Sequence, residues 1–259
     1  MKLGRAFEFG YPFGFGSVLH PWTPFQLKGD VYAWWDASQT SSIEMSAGLV
    51  SGWTDRIAGV TVGQSTTGYK PTYDPAGIDG RPAILFDGID DYLSAASAPF
   101  PGGTTPCEIW ALADQQTSDA DTVSRRIGGY GDTATFNSNG RQLIKGRVGA
   151  TNTAGIIVGT GASSINARTD GVATLFNGVH VVRGIVGADS AQSEIDGLAG
   201  SIAASVPATT SSATVIGVGL DLLTGPWKGY INSFLITKPL SAEKAAALYG
   251  FLLGRGGVG

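Results

Sequence analysis

The amino-acid sequence predicts an all-β domain, either a sandwich or a barrel, preceded by an extended arm and followed by one short helix. Glycine supplies 39 of the 259 residues, and charged residues make up only 15% of the chain. Glycine favours turns and is a poor helix former, so this balance indicates many short strands joined by turns. The hydrophobic content of 42% is sufficient for one large core.

The predicted strands are short apolar and β-branched segments bounded by turn residues. They occupy residues 31–35, 48–53, 82–86, 106–113, 142–148, 155–160, 172–177, 179–187, 213–218 and 229–237. Asn177-Gly178 stands between two of these segments and predicts a type I′ hairpin. Many short strands at turn-punctuated intervals are typical of sandwiches and barrels.

One segment, residues 240–249, has the composition of a helix. Ser241 is a candidate N-cap, because its hydroxyl can accept a backbone amide of the first turn. Leu248 and Leu252 recur at helical spacing and predict a buried face, and Gly254 is the expected terminator. A single C-terminal helix packed on the sandwich is the simplest arrangement.

The first 28 residues have a different pattern, in which aromatic rings occupy every second position. An extended chain places such rings on one side, and here they are Phe7, Phe9, Tyr11, Phe13 and Phe15. Exposed rings in this number promote aggregation, so we expect burial either on the chain's own sandwich or against a partner subunit. The proline-containing segment 20–24 resembles a stiff linker and favours the partner. We therefore predict an anchor over residues 1–28 and a domain over residues 29–259.

The charge balance argues against nucleic acid and membranes as partners. The net charge is −4, whereas nucleic-acid-binding domains usually carry a basic stripe. Arg125-Arg126 is an adjacent basic pair that we expect in a solvated loop. No apolar run approaches the ~18 residues of a membrane-spanning helix. Glu8, Pro12 and several glycines interrupt what would be the apolar region of a signal peptide.

Four motifs follow one another in the N-terminal half of the chain. They are Trp34-Trp35-Asp36-Ala37-Ser38, Val50-Ser51-Gly52-Trp53-Thr54-Asp55, Lys70-Pro71-Thr72-Tyr73 and the segment 80–93, which contains Asp87-Gly88-Ile89-Asp90-Asp91-Tyr92-Leu93. This order resembles the concanavalin A-like, laminin-G-like domains of phage and bacterial surface proteins. Further along, Asp196-Gly197, residues 228–231 and residues 239–243 resemble that family's hairpin turn, last strand and closing helix. The resemblance covers roughly residues 30–253.

The resemblance implies a two-sheet antiparallel jelly-roll sandwich and, in many members, carbohydrate recognition. Its core would be filled by the large side chains of Trp34, Trp35, Trp53 and Phe86. The same architecture also serves as a plain structural module, so the fold does not fix the function. The glycine- and aromatic-rich leader is similar to those of phage virion proteins.

The sequence does not predict an enzyme. Glycosidases of this fold resemble one another in a Glu-x-Asp-x-x-Glu strand, whose two glutamates act as nucleophile and acid. Here the segment Glu194-Ile195-Asp196-Gly197-Leu198-Ala199 has alanine in place of the second glutamate, so we interpret it as a strand ending in a turn. Cys107 is expected to be a buried hydrophobe. His20 and His180 lack evident catalytic partners, and His180 is expected at the core edge or in a cross-strand contact.

Sugar binding needs an exposed aromatic platform beside polar groups. The sequence offers four candidates, Trp110, Trp227, Tyr69 and Tyr130, the two tyrosines being expected in loops. Asp87, Asp90 and Asp91 are weak candidates for calcium, because hard oxygen ligands suit that ion, but ordinary turn chemistry is the favoured interpretation of all three. No other cofactor is expected.

These patterns lead to the expectation of a phage structural protein, either a head decoration, a head fibre or a tail-associated subunit. Its arm would dock on capsid or tail subunits, and its outer domain would contact host surface polysaccharide. A homo-oligomer is expected, with a trimer as the first guess, located on the virion. The alternative is a soluble carbohydrate-binding or glycan-hydrolysing protein of the same fold.

Overall fold

A computed structural model describes residues 22–27, 29–95, 100, 105–116, 124–131, 140–148, 151–159, 164–169, 178–204, 215–218 and 225–256. The predicted arm up to residue 21, the strand at 172–177 and the first residue of the Asn177-Gly178 hairpin lie outside this part of the chain. No helix among the described residues is long and apolar enough to cross a membrane.

The described residues form eighteen strands and one C-terminal helix, α1 (Ala242–Gly256). The strands are β1 (Val31–Asp36), β2 (Ile43–Ser46), β3 (Leu49–Thr54), β4 (Thr61–Gly63), β5 (Thr72–Ile78), β6 (Arg81–Asp87), β7 (Leu93–Ala95), β8 (Cys107–Gln115), β9 (Arg125–Gly131), β10 (Gly140–Val148), β11 (Thr151–Gly159), β12 (Ser164–Arg168), β13 (Gly178–Val186), β14 (Ser190–Ile195), β15 (Leu198–Ala199), β16 (Ala203–Ala204), β17 (Val215–Val218) and β18 (Lys228–Thr237).

The strands build two antiparallel sheets, as predicted. The first is centred on β18, which pairs with β8 along one side and with β6 and β1 in succession along the other. It continues from β8 through β13 to β14. The second sheet runs through β7, β17, β9, β10, β11 and β12. Strand β3 pairs with both β4 and β5 and so links the sheets at one end.

The main core lies between the two sheets. It contains Trp35, Trp53 and Phe86, as the sequence predicts, together with residues of both inner faces such as Ile109, Ile127, Leu143, Ile156, Val182 and Phe234. Trp34 is a correction to the predicted core, because consecutive strand residues point to opposite faces. Its ring packs on the outer face of the first sheet, below α1.

Helix α1 covers that outer face. The Lys244 amide donates to the Ser241 hydroxyl at 3.4 Å, which confirms Ser241 as the N-cap. Leu248 and Leu252 are fully buried. The helix continues to Gly256 instead of ending at Gly254. A glycine within an exposed helical turn costs only about 1 kcal/mol and does not by itself terminate a helix.

The packed part of the domain begins earlier than the predicted boundary at residue 29. Leu27 is only 4% exposed, and Trp22 packs edge-on against Phe251 of α1 at 5.7 Å. Phe25 packs against Trp34 at 5.4 Å. The segment from residue 22 to residue 27 therefore packs on the sandwich surface, which corrects the stiff linker predicted for residues 20–24 in its described part.

The pair Arg125-Arg126 opens strand β9, which corrects the predicted solvated loop. Arg126 is 6% exposed and pairs with Ile144 of β10 in the strand register. The Arg125 side chain donates to two backbone carbonyls. Arginines can be accommodated in a strand when their long stems pack on neighbours and their donors find carbonyl acceptors.

Candidate functional site

Two tyrosines form an aromatic pair near the connection between β6 and β7. The ring centroids of Tyr69 and Tyr92 are 6.0 Å apart, and the ring planes are inclined by 34°. Tyr69 ends a short 3-10 turn and is 39% exposed, and Tyr92 is half-buried. The Tyr92 amide donates to the Tyr69 carbonyl at 3.2 Å. This hydrogen bond joins the backbone of the 3-10 turn at Tyr69 to the backbone that precedes β7, and it helps to position the two rings.

Three aspartates come shortly before Tyr92 in the same connection, and the structure brings their carboxylates together. One oxygen from each of Asp87, Asp90 and Asp91 lies within 4.8 Å of the others. The Ile89 amide donates to Asp87 Oδ1 at 2.7 Å, and the Asp87 amide donates to Asp91 Oδ2 at 2.9 Å. These bonds are the turn chemistry that the sequence predicts for Asp-Gly and Asp-Asp pairs.

The segment from Asp87 to Asp91, called the acidic connection below, contains one carboxyl group with a raised pKa, that of Asp91. Burial raises the pKa of Asp91 to about 6, and the charges of Asp87 and Asp90 add to this effect, whereas the hydrogen bond from the Asp87 amide lowers the pKa. Ile89, between the aspartates, is 76% exposed. The surface therefore combines aromatic and aliphatic area with carboxylate acceptors, which is the combination that recognises hydroxyl-rich ligands.

The same three aspartates are the predicted calcium candidates. Calcium takes about 6–8 oxygen ligands, and the three carboxylates would supply part of such a set. Asp87 Oδ1 and Asp91 Oδ2 already accept backbone amides, so the arrangement has a structural role without an ion. Calcium binding at Asp87, Asp90 and Asp91 stays a prediction.

Three of the four predicted aromatic candidates do not offer a ring to a ligand. Trp110 and Trp227 are fully buried, and Tyr130 is 2% exposed. Trp110 lies below α1 with the Tyr249 ring at 5.0 Å, and Tyr130 belongs to β9 and packs against Phe100 in the core. The prediction of an exposed aromatic platform at these three positions is therefore wrong. Large aromatic rings contribute most to stability when they fill a core.

The segment Glu194–Ala199 forms the end of β14, a turn and β15. Glu194 lies near the end of β14, just before a hairpin turn at Asp196-Gly197. Both turn residues have positive φ, so the turn that the sequence predicts is confirmed. Arg183 Nη1 donates to Glu194 Oε2 at 2.9 Å, and the Tyr249 hydroxyl donates to the same oxygen at 3.2 Å. Helix α1 thus covers the carboxylate that would be catalytic in the related pattern.

His180 has a partner that sequence reasoning did not find. Its Nδ1 lies 2.6 Å from Asp196 Oδ2, and the other carboxylate oxygen accepts the Val181 amide at 2.9 Å. The contact is cross-strand, as expected for His180, and joins β13 to the turn after β14. The Asp-Gly turn signal, combined with the strand register, could have located Asp196 beside β13.

Cys107 is buried, as predicted, but it is not an isolated hydrophobe. Its Sγ lies 3.0 Å from the Tyr130 hydroxyl, and Arg141 Nη1 donates to both atoms at 3.0 and 2.9 Å. The guanidinium also donates to the Thr105 carbonyl at 2.7 Å. Burial raises the pKa of Tyr130 well above its usual value, so the hydroxyl is neutral in the folded protein.

The surface site includes two residues that were not among the predicted candidates. Tyr92 follows the Asp90-Asp91 pair directly, and an aromatic beside carboxylates was the signal that could have identified it. Arg125 contacts the same connection from β9, and only the fold brings it there. Of the predicted aromatic candidates, Tyr69 alone belongs to this site.

The described residues therefore form a two-sheet antiparallel β-sandwich with one C-terminal helix. No protein-family model and no curated protein matches the sequence. Solved structures with the same fold include "Domain 4 of AbnA, a GH43 extracellular arabinanase from Geobacillus stearothermophilus, in complex with arabinotriose". Its TM-score is 0.55 at 12% identity, over 85% of this chain and 98% of that one.

Two further structures share the fold. The binding domain of Paraclostridial Mosquitocidal Protein 1 has a TM-score of 0.59 at 10% identity, over 86% of this chain. The Trypanosoma rangeli sialidase has a TM-score of 0.56 at 12% identity, also over 86% of this chain. The present chain spans 52% of the former and 32% of the latter. At these identities the likeness establishes the fold alone.

Proposed function

We propose that this chain is a non-catalytic glycan-binding module of a phage particle. The Tyr69–Tyr92 pair beside the carboxylates of Asp87, Asp90 and Asp91 is the observation that carries the proposal. The ring of a sugar offers C–H groups that pack on aromatic faces, and its hydroxyls donate to carboxylate oxygens. The exposed carboxylates of Asp87 and Asp90 and the rings of Tyr69 and Tyr92 would supply both kinds of contact.

The fold supports a role with carbohydrates. The arabinanase domain that shares it was solved in complex with arabinotriose, and another structure with this fold is an arabinofuranosidase complexed with arabinofuranosyl-alpha-1,2-xylobiose. The present chain spans 58% of that arabinofuranosidase. Since the shared feature is architecture at low identity, the ligand of this chain is a proposal that rests on its own surface residues.

The proposed module is non-catalytic because its carboxylates have other partners. Arg183 contacts both Glu108 and Glu194, and α1 covers them. A retaining glycosidase needs two carboxyl groups about 5–5.5 Å apart, on either side of a scissile bond. Asp87, Asp90 and Asp91, whose carboxylate oxygens lie within 4.8 Å of one another, come from one short segment of the chain, and the buried Asp91 carboxylate accepts the Asp87 amide.

The attachment to a particle is the second part of the proposal. The part of the arm that carries the alternating aromatic rings, residues 7–15, would dock on a capsid or tail subunit, and the sandwich would project outward. A homo-oligomer, such as a trimer, would present several Tyr69–Tyr92 sites together. Many copies raise the overall avidity for a repetitive polysaccharide without any new contact.

A glycan array probed with the full chain tests the binding half of the proposal. The array should include arabino-oligosaccharides, xylo-oligosaccharides, sialylated glycans and bacterial surface polysaccharides. Binding to at least one class by the wild type, with none by a Tyr69→Ala/Tyr92→Ala double variant, is the expected result. Leu198→Ala, which truncates another exposed apolar side chain, is the matched control.

Deletion of residues 2–19 tests the attachment half. This deletion spares the segment from Trp22 to Leu27, which packs on the sandwich. We expect a folded domain that no longer copurifies with particles of its phage. Normal incorporation of the shortened chain would contradict the anchor and leave the soluble glycan-binding alternative.

A further inference from the structure

Arg125 reaches the acidic connection from the opposite sheet. It is the first residue of β9, and its Nη1 donates to the Gly88 carbonyl at 3.3 Å and to the Pro226 carbonyl at 2.8 Å. One guanidinium nitrogen carries two hydrogens, so it can serve both acceptors at once. The side chain therefore joins β9, the Asp87–Asp91 connection and the segment that leads into β18.

The Gly88 peptide is held from two sides. Its φ is +78°, and a Cβ at this position would lie 2.4 Å from Lys228 Cβ and 3.0 Å from Arg125 Nη1. Asp87, its neighbour, pairs with Lys228 in the register of β6 and β18. The backbone thus passes closely between Lys228 and Arg125, and only glycine fits there.

We infer that Arg125 is a positioning residue of the Tyr69–Tyr92 site, an inference that rests on the proposed function. By fixing the Gly88 carbonyl, Arg125 sets the direction of the next amides, which donate to Asp87 Oδ1 from Ile89 and Asp90. These bonds set where the carboxylates and Tyr92 lie relative to Tyr69. The hydrogen bonds of Arg125 Nη1 with Gly88 and Pro226 are both with backbone carbonyls.

A charge effect and a positioning effect can be separated with neighbouring residues. Arg125→Met removes both the charge and the two hydrogen bonds. Arg125→Lys keeps the charge and can donate to one carbonyl, so it should rescue part of the loss. Lys228→Met removes a cation from the other side of Gly88, where its side chain is exposed, and leaves both carbonyl contacts in place.

The test has a readout that needs no ligand and one that uses linear arabinan as the probe. By nuclear magnetic resonance, amide hydrogen exchange at Ile89 and Asp90 should accelerate about tenfold in Arg125→Met, less in Arg125→Lys, and not in Lys228→Met. The affinity for arabinan, or for the glycan that the array selects, should fall in the same order. A stable core, measured by unchanged exchange in β8, shows that each variant is folded.

The outcomes distinguish this inference from the proposed function. Unchanged exchange at Ile89 and Asp90 in Arg125→Met, or glycan affinity equal to the wild type despite faster exchange, would overturn the positioning role. If the wild type binds no glycan of the array, the proposed function fails, and Arg125 is then only a structural residue, which also contradicts the inference.

Discussion

The guanidinium of Arg183 donates two hydrogen bonds to the carboxylate of Glu108 beneath the C-terminal helix, from Nη2 to Oε1 at 2.7 Å and from Nε to Oε2 at 3.3 Å. The same guanidinium stacks over Trp110 at 4.5 Å, and Glu108 also accepts the Leu240 amide at 3.0 Å. This network attaches α1 and its preceding turn to the outer face of the first sheet. The outer face is thereby closed by buried charge as well as by apolar side chains.

Removing one partner of this network should be strongly destabilising. Arg183→Met leaves the carboxylates of Glu108 and Glu194 buried without their cation, and such losses cost about 3–5 kcal/mol. Urea unfolding measures the change. The exposed pair of Lys244 and Asp30 is the matched control, since Lys244→Ala should cost at most about 1 kcal/mol. Equal effects of the two substitutions would show that the Arg183 network does not stabilise the helix.

Gly229 should not tolerate a side chain. Its φ is +141°, and a Cβ would lie 2.1 Å from the Asp114 carbonyl oxygen across the sheet. Gly229→Ala should therefore disrupt pairing of β18 with β8 and lower the unfolding free energy by roughly 3 kcal/mol or more. Gly29→Ala, where nothing lies within 4 Å, should be close to neutral by thermal unfolding. A stable Gly229→Ala protein would contradict the described register.

The buried Tyr130 hydroxyl should contribute to stability through Cys107 and Arg141. Tyr130→Phe removes one acceptor of the Arg141 guanidinium and should cost about 1–3 kcal/mol. Because Cys107 is fully buried, its thiol should react with a maleimide only when the protein opens. Labelling in Tyr130→Phe should therefore be faster than in the wild type. A thiol that labels rapidly in the native wild type would refute this burial.

Asp91 should make stability depend on pH below neutrality. Its folded pKa of about 6 lies above the ordinary value of 3.8, so folding favours the neutral carboxyl. The stability that the neutral Asp91 carboxyl adds to the folded protein is fully present below about pH 4, and it is lost as the pH rises through about 6. Asp91→Asn keeps an acceptor for the Asp87 amide and should stabilise the protein by about 1–2 kcal/mol at pH 7.5.

The comparison should be made by thermal unfolding at pH 4 and pH 7.5. At pH 4 the wild type and Asp91→Asn should unfold at nearly the same temperature, and at pH 7.5 the variant should unfold later. Asp189→Asn, in an exposed turn, is the control and should show no such difference. A gain for Asp91→Asn that is equal at both pH values would exclude titration of Asp91 as its cause.

The sequence predicted the sandwich because strand signals and turns are local. Segments such as Val31–Asp36 and Lys228–Thr237 are apolar and bounded by turn residues, and Asp196-Gly197 forms the expected hairpin turn. Short strands such as Thr61–Gly63 and Ser190–Ile195 were not predicted, since three to six polar-rich residues carry little periodicity. Thr61–Gly63 pairs with the nearby β3 and, through Gly63, with Ser94 of β7, which is distant in the chain. Ser190–Ile195 pairs with the preceding strand β13.

The site was only partly predictable for the same reason. The Asp87-Gly88 and Asp90-Asp91 turn signals are local and were recognised. Which aromatics are exposed depends on which sheet face α1 covers, and the sequence could not tell that Trp110 lies beneath it. The contact from Arg125 to Gly88 joins residues 37 positions apart across two sheets. No pattern within either segment indicates it.

The most direct test of the central claim is a calorimetric titration of the full chain with the glycan that the array selects, comparing the wild type with Tyr92→Ala and Tyr92→Phe. If the Tyr69–Tyr92 surface binds sugar rings, Tyr92→Ala should weaken binding by about tenfold or more, and Tyr92→Phe should retain most of the affinity because the ring remains. Equal affinity of the wild type and Tyr92→Ala, with both proteins folded, would contradict the claim that this surface is the glycan site.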